Sequence, residues 1–230
     1  MRKEVKMYKD IIVNKPWGYE YLAYENDEIG LWFLNIKKGQ QTSMHCHPKK
    51  TTGLVLLDGS AQVSFLADSK ILDPLSKLMI RRGLFHSTKA LDKDAFIFEI
   101  ETPKDKHDLV RLNDSYGREK VEYEGKTFEE PKSKNNLWVE EPLIGKSKTY
   151  EFCNTILLIE TIDNINVINN KKDNDLILFL KGGMVRSLNN KIHKVTMPGD
   201  VGFGNIIKKV SNQLDSVVKG TIIMTITKKE

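Results

Sequence analysis

Cysteine is scarce, with Cys46 and Cys153 the only two in 230 residues. Cys46 stands between two histidines, so a disulfide framework has no support and reducing surroundings are expected. Long hydrophobic runs are missing too. The most apolar stretches, LILFL at 176–180 and TIIMTI at 221–226, fall far short of the ~20 residues that span a bilayer. The opening MRKEVKMYKD lacks the apolar centre of a signal peptide, and a cytoplasmic protein without membrane contact is expected. Clustered basic helices and aromatic-basic motifs are also absent. The net charge of +5 therefore reads as a lysine-rich solvated surface, and no nucleic-acid partner is expected.

What is present is 40% hydrophobic residues, enough for a respectable core in one large domain or two small ones. Between 11 and 101 the chain consists of short β-branched and aromatic runs, at 18–23, 30–36, 53–57, 61–66, 77–80, 85–90 and 96–101, separated by Gly, Asp, Asn, Ser and Pro. That pattern predicts an all-β sandwich or barrel. From 117 to 147 the composition turns to alternating charge with Pro131 and Pro142, which reads as a linker or an arm laid over a neighbour. Strand patterning then resumes. LILFLKGGMVRSLNNKIHKVTMPGDVGF at 176–203 can be laid on GLVLLDGSAQVSFLADSKILDPLSKLMI at 53–80 with few gaps, which implies an internal repeat. The second copy has no His-x-His, and His193 lies in a different place, so that copy should hold no metal.

Chemistry concentrates around Gly39-QQTSM-His45-Cys46-His47-PKKT-Thr52-GLVLLD-Gly59 and, some twenty residues on, Arg81-Arg82-Gly83-Leu84-Phe85-His86. Alternate residues of a strand face one side, so His45 and His47 project together, and His86 from another strand can complete a facial set of nitrogen ligands. Such a set leaves positions open for water or substrate around a divalent metal: Zn, Mn, Ni, Co or Fe. Cys46, facing away from its neighbours, reads as a packing residue. On the strand ending at Glu101, Phe96, Phe98 and Ile100 share one face and Ile97, Glu99 and Glu101 the other. If the apolar face packs between sheets, Glu99 and Glu101 enter the barrel, where one could stand in as a ligand or act as a base, with Glu99 preferred. Lys49, Lys50, Arg82 and Arg111 are the basic groups nearest these motifs and would serve a phosphate. Trp17, Tyr19, Trp32 and Phe33 could stack on a sugar ring, although core packing explains them more cheaply.

The two histidine blocks resemble the two cupin motifs, G-x5-H-x-H-x(3,4)-E-x6-G and P-x-G-x2-H-x3-N. The glycines and all three histidines match. Thr52 stands where the family's glutamate ligand belongs, Arg81 where its proline is, and Ala90 where its asparagine is. More of the chain, roughly 14–118, is similar to the cupin domain of type II mannose-6-phosphate isomerases. The likeness runs through Lys15-Pro16-Trp17-Gly18-Tyr19-Glu20, the histidine block, and the closing segment from Phe98 to Arg118, with its Asp108-Leu-Val-Arg111, Asp114 and Tyr116-Gly117-Arg118.

The resemblance implies a double-stranded β-helix, a cupin jelly roll, here a bicupin with a degenerate second half. The expected division is a metal-binding cupin domain at 1–118, a linker or arm at 119–150, and a cupin-like domain without metal ligands at 151–230. It further implies a metal-dependent isomerase or epimerase acting on a phosphorylated or nucleotide-linked sugar in bacterial surface-polysaccharide synthesis, with Arg111 in the site. A homodimer is expected. Two other classes fit the same residues: an Fe(II) three-histidine oxygenase, and a non-catalytic sugar-binding or scaffold cupin.

Overall fold

The computed structural model describes residues 8–118, 129–189 and 191–229. The first half contains β1 (Ile11–Lys15), β2 (Gly18–Glu25), β3 (Gly30–Ile36), β4 (Met44–Cys46), β5 (Thr51–Asp58), β6 (Ala61–Ser64), β7 (Ser69–Leu72), β8 (Lys77–Ile80), β9 (Ser87–Ala90), β10 (Ala95–Thr102) and β11 (Val110–Asn113). With β12 (Glu129–Pro131), its large sheet runs β12-β1-β2-β3-β10-β5-β8. A small sheet, β7-β6-β9, and a ribbon, β11-β4, complete the barrel, and the pairings are antiparallel. The runs read from sequence all fall on strands. Short or polar strands such as β1, β4, β7 and β11 carry too few alternating residues to announce themselves.

The second half contains β13 (Ser147–Phe152), β14 (Thr155–Ile162), α1 (Asn166–Asn169), β15 (Leu176–Lys181), β16 (Met184–Leu188), β17 (Lys191–Lys194), β18 (Val201–Phe203), α2 (Gly204–Ser211), β19 (Ser216–Val217) and β20 (Thr221–Lys228). Its sheets run β13-β14-β20-β15-β18 and β17-β16-β19. Strand for strand this is β2-β3-β10-β5-β8 and β7-β6-β9 again, so the repeat seen at 53–80 and 176–203 extends to the whole topology. Each half is a double-stranded β-helix. The difference is local: α1 occupies the connection where the first half has β4, and α2 the connection where it has the turn leading to His86.

Between the two halves lies a shared core. From the first come Tyr21, Leu31, Phe33, Val55, Leu57, Phe98 and Ile100, and from the second Leu157, Ile159, Leu176, Leu178, Leu180, Ile222, Met224 and Ile226. A strand whose other face lines a barrel must therefore be apolar on both sides, which explains the uninterrupted LWFL of β3 and LILFL of β15. The alternate residues Trp32, Leu34, Leu54, Leu56 and Ile97 fill the first barrel, and Ile177, Phe179 and Ile223 with Ile168 and Ile207 of the helices fill the second. A dimer would have to use other surfaces than this covered sheet face.

Of the expected linker, 119–128 lies outside the described residues. Of the remainder, 129–141 adheres to the first barrel, whereas 147–150 already belong to β13, which pairs with β14 of the second half. β12 pairs with β1, Leu137 and Val139 are buried, Val139 N–H donates to the Ala23 carbonyl at 3.0 Å, and the Leu137 N–H donates to Tyr21 Oη at 3.0 Å. No helix among the described residues is long and apolar enough to cross a membrane.

Phe98→Ala should cost ~3–5 kcal/mol, because a fully buried aromatic is lost from the shared core. Both halves should then melt together in one earlier transition by circular dichroism. Two resolved transitions, or an unchanged melting temperature, would contradict a common core.

Candidate metal centre and pocket

Local backbone pairing assembles the three histidines. His45 on β4 and His86 exchange both backbone hydrogen bonds, at 3.0 and 2.8 Å, so they stand opposite each other and share a face. His47 lies two residues beyond His45, and its carbonyl accepts the Gly83 N–H at 2.9 Å. Gly83 has φ +72°, a conformation a side chain resists, and its turn brings the chain back to His86. Ring centroids are then 4.5 Å apart for His45–His86, 4.9 Å for His45–His47 and 5.5 Å for His47–His86.

Each ring is oriented by a carbonyl. His45 Nδ1 donates to the Ser43 carbonyl at 2.8 Å, His47 Nδ1 to the Asp108 carbonyl at 2.6 Å, and His86 Nδ1 to the Leu84 carbonyl at 2.9 Å. A carbonyl can only accept, so all three neutral rings carry hydrogen on Nδ1 and present an Nε2 lone pair. One nitrogen of each lies within 4.8 Å of the others, and His47 Nε2 is buried without a hydrogen-bond partner. Burial lowers the pKa of every member, that of His47 to about 2, with neighbouring Lys50 adding to the effect there and the other histidines adding to it at His45. Neutral, convergent, carbonyl-oriented imidazoles are what a divalent metal requires, and the residues fit that group.

Among the described residues no carboxylate joins this group in place of the glutamate that the cupin motif has at Thr52. Thr52 is buried with its hydroxyl unpartnered. Glu101 sits directly across from it on β10 and has been taken by Lys50, whose ammonium lies 2.6 Å from the carboxylate with both side chains 1% exposed. Lys50 also donates to the Asp105 carbonyl at 3.0 Å. A phosphate role for Lys50 would have to compete with that pair. Lys49 and Arg82 are exposed and stand outside the pocket lining, and His107 is exposed as well.

A pocket of about 470 Å³, open mouth included, adjoins the cluster. His45, His47, Lys50, Glu99 and Arg111 line it together. Sequence reasoning passed over Lys15, Glu20, Lys106 and Arg118, which line it too. All four belong to the isomerase-like segments, Lys15 and Glu20 to the opening one and Lys106 and Arg118 to the closing one, and that resemblance is the signal that could have found them. Arg118 is held in place by Asp114 through a bidentate pair at 3.0 and 2.7 Å. Trp17 lines the wall and Trp32 lies under the Lys106 ammonium, while Tyr19 and Phe33 pack with the interface between halves. Burial raises the pKa of Glu99, against the pull of Lys106.

Asp108 ties the ligands to this wall. Beyond its carbonyl bond to His47, its carboxylate accepts the Lys49 and Lys50 N–H groups at 2.8 and 2.9 Å. Asp108→Ala keeps the carbonyl that orients His47 but frees it from the turn that the carboxylate fixes, and should weaken metal binding about 10-fold, measured by competition with a chromophoric chelator. Unchanged affinity would contradict the role.

The histidines also set a pH dependence. Their folded pKa values lie below the unfolded value near 6.5, so the unfolded chain binds more protons as pH falls. Their stabilisation is complete above that value and declines below it. The urea midpoint of metal-free protein should drop between pH 7 and 5, His47 contributing up to ~1.4 kcal/mol per pH unit. His47→Gln should flatten the slope; an equal slope would refute the assignment.

No family model and no curated protein matches the chain. Solved structures similar to it include KdgF from Halomonas sp., at 14% identity over 45% of this chain and 87% of that one, TM-score 0.37. Another is the capsular polysaccharide assembling protein CapF from Staphylococcus aureus, at 17% identity over 45% of this chain and 34% of that one, TM-score 0.41. A cupin-2 domain containing protein from Shewanella frigidimarina matches at 16% identity over 40% of this chain and 84% of that one, TM-score 0.34. The fold itself is settled by strand order: the chain is a double-stranded β-helix protein, two barrels in one chain, of which the first carries the three-histidine cluster.

Proposed function

We propose that the first barrel catalyses proton transfer at a carbon beside a carbonyl, isomerising or epimerising a phosphorylated or nucleotide-linked sugar. One observation carries the reading: a buried carboxyl of raised pKa, Glu99, shares a pocket with His45 and His47 of the cluster and with Arg111 and Arg118. His45, His47 and His86 would hold a divalent metal, which when bound polarises a carbonyl oxygen and makes the adjacent carbon more acidic.

Glu99 takes the proton from that carbon and, in an isomerisation, returns it to the neighbouring carbon on the same face; in an epimerisation a second acid on the opposite face supplies the new proton. Its pKa, raised by burial above the ordinary carboxylate range, makes it a stronger base toward that proton than a solvated glutamate. Arg111 and Arg118 supply charge-assisted donors for a phosphate, and the Asp114 pair keeps the Arg118 guanidinium oriented. The apolar walls, Leu34, Leu109 and Trp17, keep water from quenching the carbanion-like state. Placement in bacterial surface-polysaccharide synthesis rests on the resemblance of 14–118 to the isomerase domain.

The test is deuterium incorporation, by mass spectrometry, into a panel of sugar phosphates and sugar nucleotides in D₂O with metal-loaded protein. A substrate of this site should exchange the hydrogen beside its carbonyl, and Glu99→Gln should slow exchange by ~10²–10⁴-fold. His45→Ala/His47→Ala should lose both metal and exchange. Absence of exchange with every sugar would overturn the reading. Oxygen uptake by iron-loaded protein would then favour an oxygenase, and tight sugar binding without turnover a binding module.

A further inference from the structure

Away from the histidine cluster, a groove of about 570 Å³, open mouth included, runs along the second barrel between α2 and the β16–β17 hairpin. Helix and strand periods place its residues. On α2, Ile207 and Ser211, one turn apart, are buried, so Ile206, Lys209 and Val210 form a second stripe at i, i+3 and i+4 that lines the groove. On β16, Met184 sits in the core and Arg186 shares its face two residues on. Val195, whose N–H donates to the Met184 carbonyl at 2.9 Å, and Leu214 add to the lining. Val210 and Leu214 pack on the core of the second barrel and make the floor, whereas Val195 and Ile206 stay 45% and 50% exposed. Apolar walls left open to solvent on either side of a groove are a feature of ligand sites.

The charge of this groove has one sign. Arg186 and Lys209 are its charged residues, and among the described residues no ion pair holds either. Lys208, next along α2, is by contrast paired with Asp173 at 2.5 Å. The backbone around the groove is occupied as well. α2 bonds within itself, β16 lies between β17 and β19, the Ser187 N–H donates to the Asp215 carboxylate at 2.6 Å, and the Leu214 N–H donates to the Ser211 carbonyl at 3.0 Å. A peptide laid here would meet no free strand edge to pair with, and an alkyl tail needs none.

We propose that this groove binds an amphiphile with one alkyl tail and an anionic phosphate or carboxylate head. The tail lies against Val195, Ile206, Val210 and Leu214, leaving water as it does so. The head sits on Arg186 and Lys209, whose guanidinium and ammonium supply charge-assisted donors. The site is separate from the pocket of the first barrel and involves no step at Glu99, so it gives the half without a histidine cluster a binding role of its own.

The test titrates the full chain, methyl-labelled at Ile, Leu and Val, with decyl phosphate kept below its micelle concentration, followed by NMR and by isothermal titration calorimetry. One-to-one binding should shift the Ile206 methyl signal, assigned with Ile206→Val, and inorganic phosphate should leave that signal in place. Arg186→Gln/Lys209→Gln should weaken binding at least ~10-fold, and uncharged decyl maltoside should bind more weakly than decyl phosphate by a similar factor. Ile206→Asp, which sets a like charge beside the head, should abolish binding. These side chains are exposed or half-exposed, so the melting temperature should stay near wild type. Arg111→Gln, in the first barrel, should leave the affinity unchanged. Absence of saturable binding, equal affinity in the Arg186→Gln/Lys209→Gln variant, or equal binding of the uncharged amphiphile overturns the proposal. Loss of binding on Arg111→Gln alone would place the amphiphile in the first barrel and overturn it too. Binding to anionic phospholipid vesicles without binding of monomeric decyl phosphate would do the same, and would assign this face to a membrane surface.

Discussion

The alternation of a single strand, β10, is what the rest of this molecule depends on. Its even-numbered residues Phe96, Phe98 and Ile100 turn toward the second barrel, and its odd-numbered Ile97, Glu99 and Glu101 turn into the first. A slip of one residue would put two carboxylates into the core between the halves and three large apolar groups into the pocket. Because β10 lies between β3 and β5 in the large sheet, its register is pinned on both sides. The interface that stabilises the protein thus also aims the acids of the site.

Carboxylates aimed into a dry barrel bring their own constraint, since each needs a partner. Glu101 obtains one from Lys50, and through it the sequence departs from the four-ligand pattern it otherwise resembles: Thr52 offers no carboxylate, and the acid directly across the sheet is committed to an ammonium. The histidines meet the same low-dielectric environment in the opposite way, by remaining neutral. Their Nδ1 groups are spent on carbonyls, so the nitrogens facing one another have only lone pairs to offer. Ion pairing among the lysines and glutamates, and neutrality among the histidines, are two responses to one cavity.

The two barrels show how little of a fold's topology depends on its site. Eight strands recur in the same order, yet where the first barrel builds β4 and the Gly83 turn, the second builds α1 and α2. Ser211 of α2 donates to Asn169 at the end of α1 at 2.9 Å, and Ile168 and Ile207 sink into the space below. That barrel is closed by its own apolar side chains. What it contributes to the whole is a sheet face that keeps Phe33, Val55 and Phe98 out of water.

Periodicity along the chain by itself determined the strand runs, the repeat and the alternation of β10, because side-chain direction in a strand is a property of neighbouring residues. His45 and His47 could be paired for the same reason, two residues apart on one face. Only the tertiary structure decided that Lys50 is buried against Glu101 instead of free for a ligand, that Lys49 and Arg82 lie away from the pocket, and that Lys15, Glu20, Lys106 and Arg118 reach it. These residues come from separate strands and loops, and no spacing encodes the distance between them. The charged, proline-bearing composition after 117 reads as a linker or an arm laid over a neighbour, and the burial of Leu137 and Val139 against the first barrel comes from packing that this composition does not encode. Local pattern fixes which way a side chain points; whether it meets water, an ion or another chain segment is set by packing among residues far apart in sequence.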